Sequence, residues 1–400
     1  MSALRLVLAY LRLRPLNTVL NILLLALGLA TIVVVLLVTS QVSEKMTQDA
    51  RGIDLVVGAK GSPLQLILSS VYHIDIPTGN IALREAEQLK KNPMVKRAIP
   101  LALGDSFRGF RIVGTEPSYV ELYDATLVSG AFWQAPLEAV IGDDVARSSS
   151  LVLGSTFAGT HGLSASGGAH NDAPYKVVGI LARSNSVLDR LVLTGVESVW
   201  AVHKHADEPV AEHTADRDDD RELTALLIQY ASPLAAASMP RLINQQSSLQ
   251  AASPAYEIAR LFSLLGIGIN TLKAFAAMLI FTAGLGIFIG LSNTLEDRRY
   301  DLALLRILGG SAGQLFWLLI LEGLILTSIG VAAGLLLGHA VTEALGHFLS
   351  GAQQIMVTGF SWVIEEFILV GAALLIGLLA ALIPAIRAYR TDIATTLALR

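Results

Sequence analysis

The chain has 400 residues, of which 53% are hydrophobic and 16% charged, with a formal net charge of −4. Soluble domains carry about 25% charged residues, so the composition excludes an ordinary soluble protein and points to an integral membrane protein. No cysteine is present, which excludes thiolate metal sites and disulfide staples and fits an oxidising compartment.

A membrane span takes roughly 20 apolar residues at about 1.5 Å rise each. In chain order, Pro15 to Ser43 is the first such run and carries no charge. Its length, and the lack of a small-x-small cleavage site after Val38, make it an anchor and not a secretory signal. Ala274 to Leu295 is the second run, Ile307 to Leu337 the third, with Glu322 inside it, and Phe367 to Ile386 the fourth. Arg5, Arg12 and Arg14 precede the first span, Arg298, Arg299 and Arg306 follow the second, and Arg387, Arg390 and Arg400 follow the fourth. By the positive-inside rule these groups and both termini are expected on the cytoplasmic side. The connection Leu345 to Glu366, without Lys or Arg, then faces out. The expected layout is 1–40 as N-terminus and first span, 41–266 as an extracytoplasmic domain, and 267–400 as the remaining spans and C-terminus.

Between the first two spans the texture becomes mixed α/β. GIDLVVG reads as a strand, IALREAEQLKKN as an amphipathic helix, and FRGFRIVG, EAVIG, YKVVGIL, DRLVLT and LTALLIQY as further strands. PLAAASMPRLINQQ reads as a small helix, and PAYEIARLFSLLGIGINTLK as a helix running into the second span. Both ends of the domain are thus continuous with spans, an expected mechanical connection. Between Gln41 and Gly266 there are 19 basic and 25 acidic residues, so nucleic acid is excluded as a partner. Thr160 to Asp172 and Ala201 to Glu222 lack periodicity and read as exposed loops.

After the second span comes LEDRRYDLALLRILGGSAGQL. Leu302, Leu305 and Leu308 recur at three-residue spacing beside Arg298, Arg299, Asp301 and Arg306, which makes an amphipathic helix at the inner membrane face, ended by Gly309-Gly310. The chain closes on IPAIRAYRTDIATTLALR. These two stretches, with the order of one span, a large external domain and three spans, resemble the four-span permeases of the MacB/FtsX-like family of ABC transporters. The resemblance implies that the amphipathic segment is a coupling helix docking on a separate ATPase subunit, with Arg298, Arg299, Asp301, Leu305, Arg306 and Gly309 in contact. ATP and Mg²⁺ would belong to that subunit: GAKGS at Gly58 to Ser62 lacks phosphate-loop spacing, so this chain is not expected to be an enzyme. The resemblance further implies a bacterial inner membrane as the location, a second permease copy, an external domain with a proximal part (41–103 plus 222–266) and an inserted distal part (104–221), and mechanotransmission as the working principle. Beside membrane lipid, a periplasmic adaptor or lipoprotein is an expected partner.

Glu322 is the carboxylate within an apolar span, and an acid there is either a functional group or a neutral structural one. Glycine patterns at Gly284-x-Gly286-x-x-x-Gly290 and Gly330-x-x-x-Gly334 favour close helix packing. Five histidines, His161, His170, His203, His205 and His213, fall in the two irregular loops among Asp172, Asp207, Glu208 and Glu212. Imidazole with carboxylate suits zinc, although the spacing matches no closed structural site, and a solvated polar loop accounts for the same residues. Three functions follow as expectations: ATP-coupled export or extraction from the periplasmic side, transmembrane signalling to a periplasmic enzyme, and zinc-linked export or sensing.

Overall fold

A computed structural model describes residues 15–161, 173–204, 221–297, 311–352 and 357–390, with Val7, Arg12, Ile307 and Gly309. The chain divides into two compact units, Met1–Ser43 with Leu265–Arg400, and Glu44–Leu264. The described helices are α1 (Pro15–Asp49), α2 (Pro63–Ser70), α3 (Leu83–Lys90), α4 (Ser118–Leu122), α5 (Asp143–Ser149), α6 (Val196–Lys204), α7 (Pro233–Gln246), α8 (Pro254–Asp297), α9 (Ala312–Ala352) and α10 (Ile364–Tyr389). Four of them, α1, α8, α9 and α10, are long and apolar enough to cross a membrane.

In the membrane unit, span 1 packs into a groove that glycines cut in span 3. A Cβ placed on Gly330, Gly334 or Gly338 would lie 2.7, 2.8 or 2.8 Å from Leu25, Leu29 or Val33. Those side chains sit four residues apart along one face of α1, and the missing Cβ atoms let the backbones approach. Gly286 serves the buried Asn21 in the same way, and Gly284 serves Ile376 of α10. The third helix departs from expectation at both ends: it begins at Ala312 and continues to Ala352. Residues 345–352, read above as part of an external connection, are helical because TEALGHFL holds strong helix formers and an i,i+4 pair of Glu343 with His347 at 3.3 Å.

The second unit is built on a mixed sheet whose strands are β1 (Leu55–Ala59), β2 (Ile81–Ala82), β3 (Val95–Phe107), β4 (Phe110–Thr115), β5 (Leu127–Gly130), β6 (Glu138–Ile141), β7 (Thr156–Phe157), β8 (Thr160–His161), β9 (Tyr175–Leu181), β10 (Leu191–Gly195), β11 (Glu222–Leu223), β12 (Ala225–Tyr230) and β13 (Leu249–Ala252). The main sheet runs β13-β1-β12-β3-β4-β10-β6-β9-β5, with β7 on β9 and β8 on β3, while β2 and β11 pair separately. Alternate residues feed two cores. Val56, Leu101 and Leu227 face α2 through Leu66 and Ile67, whereas Leu55, Val57, Leu226 and Ile228 meet Met239 and Ile243 of α7. A third core lies among β4, β6, β9 and β10 around Ile112, Ile141, Val177 and Val192.

Strand β3 is shared: Val95–Leu101 pair with β12, and Ala102–Phe107 pair with β4. FRGFRIVG is therefore the tip of a hairpin and not one strand, because Arg108 and Gly109 both adopt positive φ (48° and 87°) and turn the chain back. The reading of Ala201 to Glu222 as a loop is also corrected at its start. Val196, Val199 and Val202 recur every three residues and are buried, so the helix persists to Lys204. Thr160 and His161, likewise assigned to a loop, pair with Ser106 and Asp105 of β3.

Candidate functional site

Side chains that fasten the ends of the long apolar helices define the candidate site. Two hydrogen-bonded clusters do so, one in each unit.

In the second unit the last turn of α1 is held by side chains from distant parts of the sequence. The final carbonyls of a helix run short of intrahelical partners, and here Tyr123 Oη donates to Asp49 O at 2.6 Å, while Tyr72 Oη adds a bond of 2.9 Å to Met46 O. Lys45 Nζ donates to Asp49 Oδ1 at 2.9 Å and to Asn185 O at 2.7 Å. Asp49 is 2% exposed, so removing Lys45 would strand a buried charge. Each donor is itself positioned. The Tyr72 carbonyl accepts from Arg190 at 2.9 Å. Tyr123 stands edge-on to Tyr119, whose hydroxyl lies 3.0 Å from His73 Nε2. Asn185, at φ 52°, accepts from Arg183 Nε at 3.1 Å, and its neighbour Ser184 donates its amide and its hydroxyl to Asp189 Oδ1 at 2.8 Å each.

His73 has φ 55° and is 6% exposed. Burial, and then the charges of Arg111 and Arg190, hold its pKa well below the ordinary histidine value, so the ring is neutral. Burial also lowers the Arg111 guanidinium to about 10, against the opposing charge of Asp75; its Nη2 donates to Asp75 O at 2.7 Å. The loop after α2 is thus fixed by the buried Arg111 and the part-buried Arg190.

In the membrane unit, a second cluster clasps the connection between α9 and α10. The Gln41 side-chain amide of α1 bonds both backbone groups of Thr358, donating to its carbonyl and accepting from its amide at 2.9 Å each. Glu343 accepts from Thr358 Oγ1 at 2.9 Å and from the Gly359 amide at 2.8 Å. His339 bonds Gly359 O through Nδ1 and Glu366 Oε2 at 2.9 Å through Nε2, with Trp362 against its ring. Glu366, 1% exposed, also accepts from the Val363 amide at the start of α10. A Cβ on Gly359 would collide with the His339 carbonyl, so this position requires glycine.

Of the residues singled out from sequence, Arg298, Arg299, Asp301, Leu305 and Arg306 lie outside the described residues. Gly309 is described, at φ 99° with open space around a Cβ, a backbone that favours glycine and suits a helix stop. Glu322 is buried at 5% exposure. His170, His205 and His213 fall outside the described residues, and the backbones of His161 and His203 lie in β8 and α6. Among the described residues no group of three His, Asp or Glu side chains could hold a metal. Sequence reasoning missed both clusters. The paired Lys45 and Asp49 at i,i+4 were the one local signal.

Residues 18–260 match the MacB-like periplasmic core domain and residues 273–393 the FtsX-like permease C-terminal domain. An uncharacterized ABC transporter permease protein of Mycobacterium tuberculosis is 27% identical over 328 residues, covering 74% of this chain; the chain spans about a third (34%) of that relative. The periplasmic region of MacB from Actinobacillus actinomycetemcomitans aligns over 54% of this chain and 97% of its own, at 13% identity and TM-score 0.35. The extracellular domain of the noncanonic ABC-type transporter YknZ from Gram-positive bacteria aligns over 50% and 99%, at 12% identity and TM-score 0.32. Because the two family matches together take in both the core domain and the later spans, the chain belongs to the MacB/FtsX-like family of ABC transporter permeases.

Proposed function

We propose that this chain is the permease subunit of a complex in which a separate ATPase docks on residues 298–310 and drives movement of the external unit by mechanotransmission, exporting or extracting a substrate from the periplasmic side. The observation that carries this reading is the length of two helices. At about 1.5 Å per residue, α1 with 35 residues and α8 with 44 reach about 52 and 66 Å, against a hydrocarbon core of about 30 Å. Helices that outrun the membrane suit transmission of a push, and the hydrogen bonds at the end of α1 keep that push from being lost as fraying. The contact residues remain Arg298, Arg299, Asp301, Leu305, Arg306 and Gly309, whose fixed charges would set register with the ATPase.

Arg306→Glu in the reconstituted complex is the test. Membrane insertion and basal ATP hydrolysis should persist while substrate movement falls at least tenfold; unchanged coupling would remove 298–310 from the docking surface. Signalling to a periplasmic enzyme uses the same parts and differs in readout: ATPase activity would then respond to a protein partner and not to a small molecule, peptide or lipoprotein.

A further inference from the structure

Spans 2 and 4 leave a groove of about 370 Å³ between them. Its floor is Gly284 of α8 and Ala380 of α10; a Cβ on Gly284 would lie 2.7 Å from Ile376, so the helices touch at the base. Its walls are Phe281 and Phe288, one above the other at i,i+7, facing Leu379 and Ile383. Every lining side chain is hydrocarbon, and the slot runs about 10 Å along the helix axes, given about 1.5 Å per residue.

We propose that this groove binds one acyl chain of a membrane phospholipid. Three observations favour that occupant. All lining residues belong to α8 and α10, inside segments apolar enough to span a bilayer, so what surrounds the groove at that depth is lipid hydrocarbon and not water. The walls are open to that medium: Phe281 is 66% and Leu379 55% exposed. A second copy of the chain is the rival occupant, which the experiment separates from lipid. A narrow, carbon-lined slot parallel to the helices matches a methylene chain in shape as well as chemistry, and burying methylenes is what holds lipid chains to protein. The assignment is independent of how an ATPase couples to the chain.

The full-length protein, purified and placed in nanodiscs with a phosphatidylethanolamine carrying a diazirine in its acyl chain, is photolysed and mapped. Label should concentrate on peptides bearing 281–288 and 376–383, at least fivefold above the exposed face of α1 at Leu20 and Leu27. Ala380→Trp, which fills the floor, should lower that label fivefold, whereas Ala380→Ser should not. Because the chain lacks cysteine, Leu285→Cys reports separately on the rival occupant. Even labelling of all exposed faces in the wild-type chain overturns the proposal whether or not the tryptophan variant folds. So do label unchanged by Ala380→Trp and a disulfide between Leu285→Cys copies.

Discussion

Replacing Tyr72 and Tyr123 by phenylalanine keeps both rings and removes the two hydroxyls that close the last turn of α1. The two positions are not equivalent. Met46 O also accepts from the Ala50 amide at 3.2 Å and keeps that bond, so Tyr72→Phe should cost about 0.5–1 kcal/mol. Asp49 O receives the shortest of these bonds, 2.6 Å, and sits where helix carbonyls lack intrahelical partners. Tyr123→Phe should therefore cost about 1–2 kcal/mol, the range for a part-buried acceptor left unmet. The two hydroxyls serve different acceptors, Met46 O and Asp49 O, so the double variant is expected to cost near the sum, about 2 kcal/mol. At about 1.4 kcal/mol per factor of ten, local opening should become about 30-fold more frequent. Hydrogen exchange on the full-length chain in nanodiscs reads this at the amides of Ala50 and Arg51, bonded to the Met46 and Gln48 carbonyls of this turn. If the double variant exchanges there like wild type, the hydroxyls do not hold the helix end.

Other consequences are checked more simply. Gly334→Leu should lower the thermal midpoint of the detergent-solubilised protein and cost about 1–3 kcal/mol, since its first added atom would lie 2.8 Å from Leu29. Gln41→Leu removes both bonds to Thr358, and exchange at the Thr358 amide should rise about tenfold. His73 predicts a pH dependence. The unfolded chain takes up a proton near pH 6.5 and the folded chain only well below it, so stability is complete above about 6.5 and falls as pH drops, by up to about 1.4 kcal/mol per unit. His73→Asn, with a side chain that tolerates positive φ, should flatten that slope in acid unfolding curves.

The four spans were legible because apolar runs of this length with no charge, or with the single Glu322 of the third, have few alternative explanations; Pro15 to Ser43 needed nothing but counting. Most strands were legible where β-branched residues stood between turn formers, as at YKVVGIL. Strand β3 was not, because Pro100 and Gly104 interrupt its apolar run. The structure accommodates Pro100 in the part of β3 that pairs with β12, before pairing with β4 begins at Ala102, so no amide is missed on the β4 side. The end of the third helix was misplaced because an acidic stretch without Lys or Arg looks like an external connection when charge alone is read. Neither fastening cluster was legible, for a general reason: Lys45, Tyr72, Tyr123 and Asn185 are brought together by topology, and tyrosine in a strand-rich region is indistinguishable from core until its hydroxyl has a partner.

The place where the chain leaves and rejoins the sheet has a consequence for how such proteins diversify. Leu103 and Thr224 are 121 residues apart in sequence, yet the Leu103 amide donates to Thr224 Oγ1 at 2.9 Å, and the Thr224 amide donates to Leu101 O at 2.8 Å. Everything between them departs and returns through one doorway, on adjacent rungs of β3 and β12. A connection of about four residues could close that doorway as a hairpin, and a larger or differently shaped lobe could be grafted through it without shifting the register of β1, β12 and β13. The exchanged lobe carries Tyr123 and Asn185, so any replacement would have to bring its own donor for Asp49 O and its own acceptor for Lys45 to keep the end of α1 closed.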